Sequence, residues 1–324
     1  MKVVDLFCGA GGFSYGFAHP SQNRHLAIDI DSFVLETYAQ NYPQNRVLKR
    51  DIAMLHSTSI NSALEGLPDV ILASPPCEEF SRANPDSRSS AAERIYGGGT
   101  ARLLLDTIRI IGDLEPTVFV IENVAALSAS GGKRIILKEF QSVGISDVNF
   151  NLIRCHRHGN PSKRVRLFIS NLRLDLPRRT PPSVMDVIGD LPRLGIDAIL
   201  DPGKAVPNHD YRPIPKDKLK KVRKTRRGRG AKHFRVSKSR SLPNWVRLYP
   251  DSISTSIIGL SRYIHPFENR LLTVREHARL MSYPDSFTFT GPITSQYNQV
   301  GESVPPLISC LIAQEVSSYL EKSK

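Results

Sequence analysis

The chain has 324 residues, 40% of them hydrophobic, which is enough for one large domain with a full core and a smaller one beside it. Its formal charge of +13 excludes an acidic, solvating chain and points to a polyanionic partner. No apolar run approaches membrane-spanning length, and Cys8, Cys77, Cys155 and Cys310 lack the close pairing of a zinc site or disulfide framework; a soluble cytoplasmic protein without a metal is expected.

Residues 2–7 read as a buried strand, which leaves no room for a leader peptide, and they run into the glycine-rich turn Phe7-Cys8-Gly9-Ala10-Gly11-Gly12. Glycines there let a backbone approach a ligand closely. Further strands are expected over 25–29, 69–73 and 117–122, with helices over 33–42 and 101–114, where apolar residues recur at helical spacing. This alternation predicts an α/β fold, doubly wound around a mostly parallel sheet. Acids close two of the early segments, Asp29 and Asp51, the latter followed by Ile52. Singly each is an ordinary helix cap; in order after the glycine turn they suit a ribose and an adenine.

From about residue 172 prolines become frequent and helical periodicity is lost through 238. Residues 212–247 hold fifteen Lys or Arg against one acid, Asp217, so the remainder of the chain is close to neutral. Such a run suits a phosphate backbone and is expected to be partly disordered without one. Order returns near 271, where Thr273 can cap a helix through Met281, and a core-bound helix over 306–320 closes the chain. The expected division is 1–172 for catalysis and cofactor, 173–267 for DNA recognition, and 268–324 returning to complete the catalytic domain.

Two residues stand out chemically. Cys77 follows Ser74-Pro75-Pro76 at the carboxyl end of an apolar strand, where parallel sheets place their ligands, and a double proline stiffens the chain that presents it. Glu122 ends the apolar run of the next strand, a costly position that makes it a candidate for a raised pKa. A thiolate that adds to a ring carbon and an acid that protonates a ring nitrogen are complementary tools. The remaining cysteines read as inert buried thiols.

At this point the sequence resembles the DNA cytosine-5 methyltransferase family, in order along nearly the whole chain. The turn at 7–12 is similar to its first cofactor motif, Pro76-Cys77 to its nucleophile motif, and Glu122-Asn123-Val124 to its acid motif. Lys163-Arg164-Val165-Arg166 resembles its paired-arginine motif, residues 270–285 the block that follows recognition, and Gly301-Glu302-Ser303-Val304-Pro305-Pro306 the closing cofactor motif. Two positions depart from the pattern: Ser162 stands where glutamine is usual, and Glu302 where asparagine is usual, at the methionine end of the cofactor site.

The resemblance implies a Rossmann-like S-adenosylmethionine methyltransferase fold with a small target-recognition domain, of the prokaryotic restriction-modification type. It implies cofactor contacts from Phe7, Gly9, Ala10, Gly11, Gly12, Asp29, Ile30, Asp51, Ile52, Pro76, Leu103, Glu302, Ser303 and Val304. Catalysis falls to Cys77, Glu122, Arg164 and Arg166, the arginines binding the carbonyl oxygen of the base and orienting the catalytic groups. Residues 78–102, with Gly97-Gly98-Gly99, suit a mobile loop in which Ser81 touches the backbone of the flipped nucleotide. Asn123 holds the loop and joins the DNA-binding set, with Arg226, Arg227 and Arg229 as candidate base readers. The implied partner is double-stranded DNA, bound by a monomer; a cognate restriction endonuclease would act separately, and no membrane is involved.

Three rivals remain open. An exocyclic-amine methyltransferase would carry an aromatic ring where Cys77 stands. A tRNA cytosine methyltransferase of the same fold would carry a Cys-Phe-Thr signature, absent here. A silent DNA-binding relative would have lost Cys77 or Glu122, and both are present.

Overall fold

The computed structural model describes residues 1–18, 23–76, 78–80, 90–129, 131–194, 206–210, 212–235 and 241–322. Two compact units result: residues 1–154, 165–177 and 308–324 form the first, and residues 155–164 and 178–307 the second. Among the described residues, no helix is long and apolar enough to cross a membrane.

The first unit contains β1 (Lys2–Leu6), β2 (Arg24–Asp29), α1 (Ser32–Asn41), β3 (Arg46–Lys49), α2 (Ser57–Leu64), β4 (Val70–Ala73), α3 (Ala91–Tyr96), α4 (Leu103–Leu114), β5 (Val118–Asn123), α5 (Ala126–Ala129), α6 (Gly132–Ser142), β6 (Asn149–Arg154) and β7 (Val165–Ser170). The strands form a seven-stranded sheet in the order β3-β2-β1-β4-β5-β7-β6. Only β7 runs against its neighbours. The expected doubly wound, mostly parallel α/β architecture is the one observed.

Every residue of β4 and β5 is buried, which is why both read as continuous apolar runs: a parallel strand covered on both faces has no solvent side to alternate with. Helix α4 presents Leu104, Ile108, Ile111 and Leu114 to the core and stops at Glu115, whose φ of 44° ends the helical path. Behind β5, Phe119 stacks on Phe140 of α6 with ring centroids 4.9 Å apart.

The second unit carries α7 (Val184–Ile188), α8 (Lys216–Lys224), β8 (Gly230–Arg235), β9 (Ser241–Arg247), β10 (Tyr263–Ile264), α9 (Val274–Leu280) and α10 (Ile293–Glu302). Its sheet has the order β10-β9-β8, with β8 and β9 antiparallel. The last helix, α11 (Pro306–Lys322), starts in this unit and returns the chain to the first. This unit therefore takes in 268–307 as well as most of the expected recognition segment.

Thr273 caps α9 as expected, its side chain accepting from Glu276 N while Glu276 accepts from Thr273 N. Of the basic run, expected to be partly disordered, residues 236–240 lie outside the described residues, and much of the remainder is ordered. Residues 216–224 form a helix and 230–235 a strand, and Arg247, 7% exposed, explains why. Its guanidinium donates to the carbonyls of Val222, Thr225, His265 and Glu268 and to Asn269 Oδ1, at 2.8–3.0 Å. One buried cation thus ties the carboxyl end of α8 to β9 and to the 265–269 turn. We expect Arg247→Met to leave those carbonyls unpaired and destabilise the second unit by about 3 kcal/mol, read as a lower urea midpoint.

Candidate active site

The expected site residues of the first unit gather at the carboxyl edge of the parallel strands, where the order reverses between β1 and β4. Leu6 pairs with Ile28 and with Ala73, and Ala73 pairs with Ile121. Phe7, Asp29, Ser74 and Glu122 therefore make up the next row outward on four adjacent strands. Residues more than a hundred positions apart in sequence thus share one edge.

The glycine turn is shaped by its backbone. Phe7, Gly9 and Gly11 have φ of 58°, 53° and 92°. A side chain at Gly11 would meet the Tyr42 ring at 2.4 Å, and the Tyr42 hydroxyl donates to Gly11 O at 2.8 Å, so this position admits only glycine. At Gly9, by contrast, nothing lies within 4 Å of where a side chain would start, which leaves open space at the edge. Ala10 is buried, Gly12 likewise, and α11 backs the segment: Ser309 Oγ donates to Phe13 O and accepts from Gly16 N.

Asp29 organises the same edge. Its Oδ2 accepts from Gly9 N at 2.9 Å and its Oδ1 from Ile30 N and Asp31 N at 2.8 and 3.0 Å. Burial raises its pKa, opposed by those three donors. A carboxylate has about four acceptor sites, so three donors leave room for one hydroxyl. Ile30 is 61% exposed beside it, an apolar face without protein cover. Asp51 caps a short 3₁₀ turn through Ala53 N at 2.9 Å, Ile52 is buried, and half-buried Leu103 begins α4. These features fit the adenosine part of S-adenosylmethionine: a main chain without side-chain obstruction, an acceptor, and an apolar surface.

Glu122 and Arg166 meet on neighbouring strands, Arg166 Nε lying 2.7 Å from Glu122 Oε1, with both side chains mostly buried. Asn123 is 3% exposed; its Nδ2 donates to the Pro75 carbonyl at 3.3 Å and its Oδ1 accepts from Val124 N at 2.9 Å. This burial and the Pro75 contact suit a residue that holds the Pro75-Pro76 turn. Ser74 N donates to Leu6 O at 3.0 Å, fixing the same turn from the other side. Cys77 and residues 81–89, Ser81 among them, lie outside the described residues, while the rest of the expected mobile loop is described and carries helix α3. Of the other thiols, Cys8 is buried and its pKa is pushed far up by that burial, with Asp29 and Asp5 adding to it, as expected of an inert thiol.

Arg164 has a different employment from the one expected. It is fully buried, and Nη1 donates to Ile257 O and Gly301 O at 2.8 and 2.9 Å, while Nη2 donates to Ser303 O at 2.6 Å. These three partners are main-chain carbonyls of the second unit, a positioning task rather than the base contact expected of it. Arg164 instead positions the closing motif. Gly301 must be glycine because a side chain would start 2.2 Å from Gly259 N. Glu302 is exposed, Val304 is buried, and the Ser303 hydroxyl donates to Val300 O. Ser162, in the place of the usual glutamine, is buried and accepts from Asn160 Nδ2 at 2.7 Å. Arg226, Arg227 and Arg229 are exposed between α8 and β8, with Arg227 over the Phe267 ring at 5.0 Å.

Sequence reasoning passed over a buried cluster beneath the glycine turn. Ser14 Oγ lies 2.5 Å from Asp5 Oδ2, 3.1 Å from His25 Nε2 and 2.9 Å from the Tyr38 hydroxyl, and the Tyr38 ring packs against Gly11. Burial lifts Asp5 to about 7, with the Ser14 hydrogen bond opposing and Asp29 adding to it; burial lowers His25 to about 3.

The family pattern of the C-5 cytosine-specific DNA methylases matches residues 1–318. A putative type II methyltransferase of Methanocaldococcus jannaschii, M.MjaORF1200P, is 35% identical with 99% of both chains covered. The type II methyltransferase M.DdeI of Desulfomicrobium norvegicum is 30% identical over 99% of this chain and 89% of that one. Among solved structures, a putative DNA modification methyltransferase encoded within an Escherichia coli prophage shares the fold with a TM-score of 0.76 at 23% identity, with 99% of each chain covered.

Proposed function

Given that the chain belongs to the C-5 cytosine-specific DNA methylase family, and so is a DNA cytosine-5 methyltransferase of the restriction-modification type, we propose that it works through a covalent Cys77 adduct on a cytosine extruded from a short double-stranded target. The observation that supports this most is the Glu122–Arg166 pair beside the Asn123–Pro75 contact, which sets an acid next to the turn leading into Cys77.

Carbon 5 of cytosine is a poor nucleophile and has to be made electron-rich. Addition of the Cys77 thiolate to carbon 6, with Glu122 delivering a proton to ring nitrogen 3, gives an enamine whose carbon 5 can be methylated. Loss of the carbon 5 proton to a base then expels the thiolate, and return of the nitrogen 3 proton to Glu122 restores the neutral ring and the acid. S-adenosylmethionine, when bound by Phe7, Gly9, Asp29, Ile30 and Asp51, supplies an electrophilic methyl group. Arg166 fixes the direction of the Glu122 carboxyl, and Asn123 holds the Pro75 carbonyl two residues before Cys77.

The base must leave the duplex to reach this edge, because carbon 5 and carbon 6 are stacked inside it. Residues 173–267, with the cationic helix α8 and the β8–β9 hairpin, neutralise phosphates and read the site. The charge balance of 212–247 supports that assignment.

Incubation with S-adenosylmethionine and unmethylated plasmid, followed by bisulfite sequencing, tests the reading: protection should fall on the cytosines of one short motif. Transfer to tRNA with no protection on DNA would sink it. Arg166→Lys should lower kcat roughly 10- to 100-fold with little change in KM for DNA, because an ammonium is a point charge and cannot hold a carboxylate in one orientation as a planar guanidinium does.

A further inference from the structure

The second unit holds a cavity of about 240 Å³ that the catalytic reading does not use, lined by Trp245, Arg262, Tyr297, Arg212, Lys218 and Asp210 among others. Apolar side chains such as Ile214, Leu271 and Ile293 share its walls with two aromatic rings and three cations. The Arg262 guanidinium lies 3.8 Å from the centre of the Tyr297 ring, and among the described residues its hydrogen bonds run from Nη1 to the Gly259 and Ser261 carbonyls. The Lys232 ammonium lies 3.9 Å from the centre of the Trp245 ring. Cation and ring hold each other in place at both positions.

Trp245 is also forced into its place. Its φ is 52°, a left-handed backbone that a tryptophan adopts only under constraint, and it does so inside β9. The constraint is visible: Asn244 Oδ1 accepts from Trp245 N at 2.8 Å and from Arg262 N at 3.0 Å, while Asn244 Nδ2 donates to Leu260 O at 3.2 Å. One amide side chain thus ties the main chain at Trp245 to the main chain at Arg262. A strained aromatic, clamped to a stacked arginine and facing a cavity, is an arrangement built for a planar anionic ligand.

We propose that this cavity receives one unstacked nucleotide of the bound DNA, other than the cytosine that is methylated. The base stacks against Trp245 and the Arg262–Tyr297 pair, the phosphate lies on Arg212 and Lys218, and Asp210 accepts from an exocyclic amine. Stacking on aromatic rings and arginine planes is how proteins hold bases removed from a helix. The proposal rests on double-stranded DNA being the substrate, and it assigns target discrimination to Trp245 and Arg262 beside the exposed arginines of the basic run.

Trp245 is the only tryptophan in the chain, so its emission reports on this cavity without labelling. Titration of the full-length enzyme with dGMP should change Trp245 emission saturably, and inorganic phosphate should need at least tenfold more. Arg262→Gln should weaken dGMP at least tenfold and raise KM for DNA about tenfold at unchanged kcat. Arg212→Gln, at an exposed position that carries no fold, should weaken both ligands and reduce the salt dependence of dGMP binding. No emission change with dGMP from an enzyme that still protects its plasmid motif from bisulfite conversion would overturn the inference and leave the methyltransferase reading intact. A dGMP response with unchanged KM for DNA in Arg262→Gln would also overturn it, by making free nucleotide the occupant. Loss of plasmid protection in the wild type would instead remove the reading beneath it.

Discussion

Cys77→Ala should reduce methyl transfer on the order of 10⁴-fold or more while leaving DNA binding in place. Without the thiolate nothing adds to carbon 6, and carbon 5 keeps the electron-poor character of an aromatic pyrimidine. The scaffold around the position does not depend on the sulfur: Ser74 N is held by Leu6 O, and the Pro75 carbonyl by Asn123. Both contacts precede residue 77, so alanine there leaves the turn as built. A tritium-transfer assay beside a gel-shift titration separates the two effects. Full transfer from the variant would end the role proposed for Cys77. Lost binding as well as lost transfer would show that the thiol holds the DNA-bound conformation.

The parts of this molecule that were legible in the sequence are those with local causes. Strands β4 and β5 announce themselves because both faces are covered, and the Thr273–Glu276 capping box because its two members are three residues apart. Glu122 was legible as an acid where an apolar run should continue. Its partner Arg166 was legible only as half of a motif, since the pairing of β5 with β7 is a property of the sheet.

What escaped has partners far off along the chain. Arg164 donates to carbonyls 93, 137 and 139 residues away, so nothing near it in sequence distinguishes a positioning residue from a base-binding one. The order of the basic run escaped for the same reason. A stretch with one acid among fifteen cations has no periodic apolar stripe to read, and its folding depends on Arg247 collecting the carbonyls of α8 and of a turn about twenty residues on. Asp5 and His25 look like ordinary strand residues until β1 and β2 pair and Ser14 is placed against both.

That buried pair gives the other large effect, a change in how stability depends on pH. Burial raises Asp5 from 3.8 to about 7, so its contribution to stability is full below pH 3.8 and is lost as pH rises toward 7. Burial lowers His25 from 6.5 to about 3, so its contribution is full above pH 6.5 and is lost as pH falls toward 3. Between about pH 4 and 6.5 the folded chain keeps a proton on Asp5, and the unfolded chain keeps one on His25. Equal proton counts mean that the pair adds no slope there. Asp5→Asn removes one side of that balance. Relative to the wild type, the variant should gain about 1.4 kcal/mol per pH unit on raising the pH, about 3 kcal/mol across the window. His25→Gln should show the opposite drift, losing stability relative to the wild type as the pH rises, because it removes the side that favours high pH. Urea unfolding at fixed ionic strength measures both, and taking the difference from the wild type cancels every other titrating group. A difference curve for Asp5→Asn that stays flat from pH 4 to 6.5 would mean that Asp5 is ionised in the folded chain, and a flat curve for His25→Gln that His25 keeps its proton there.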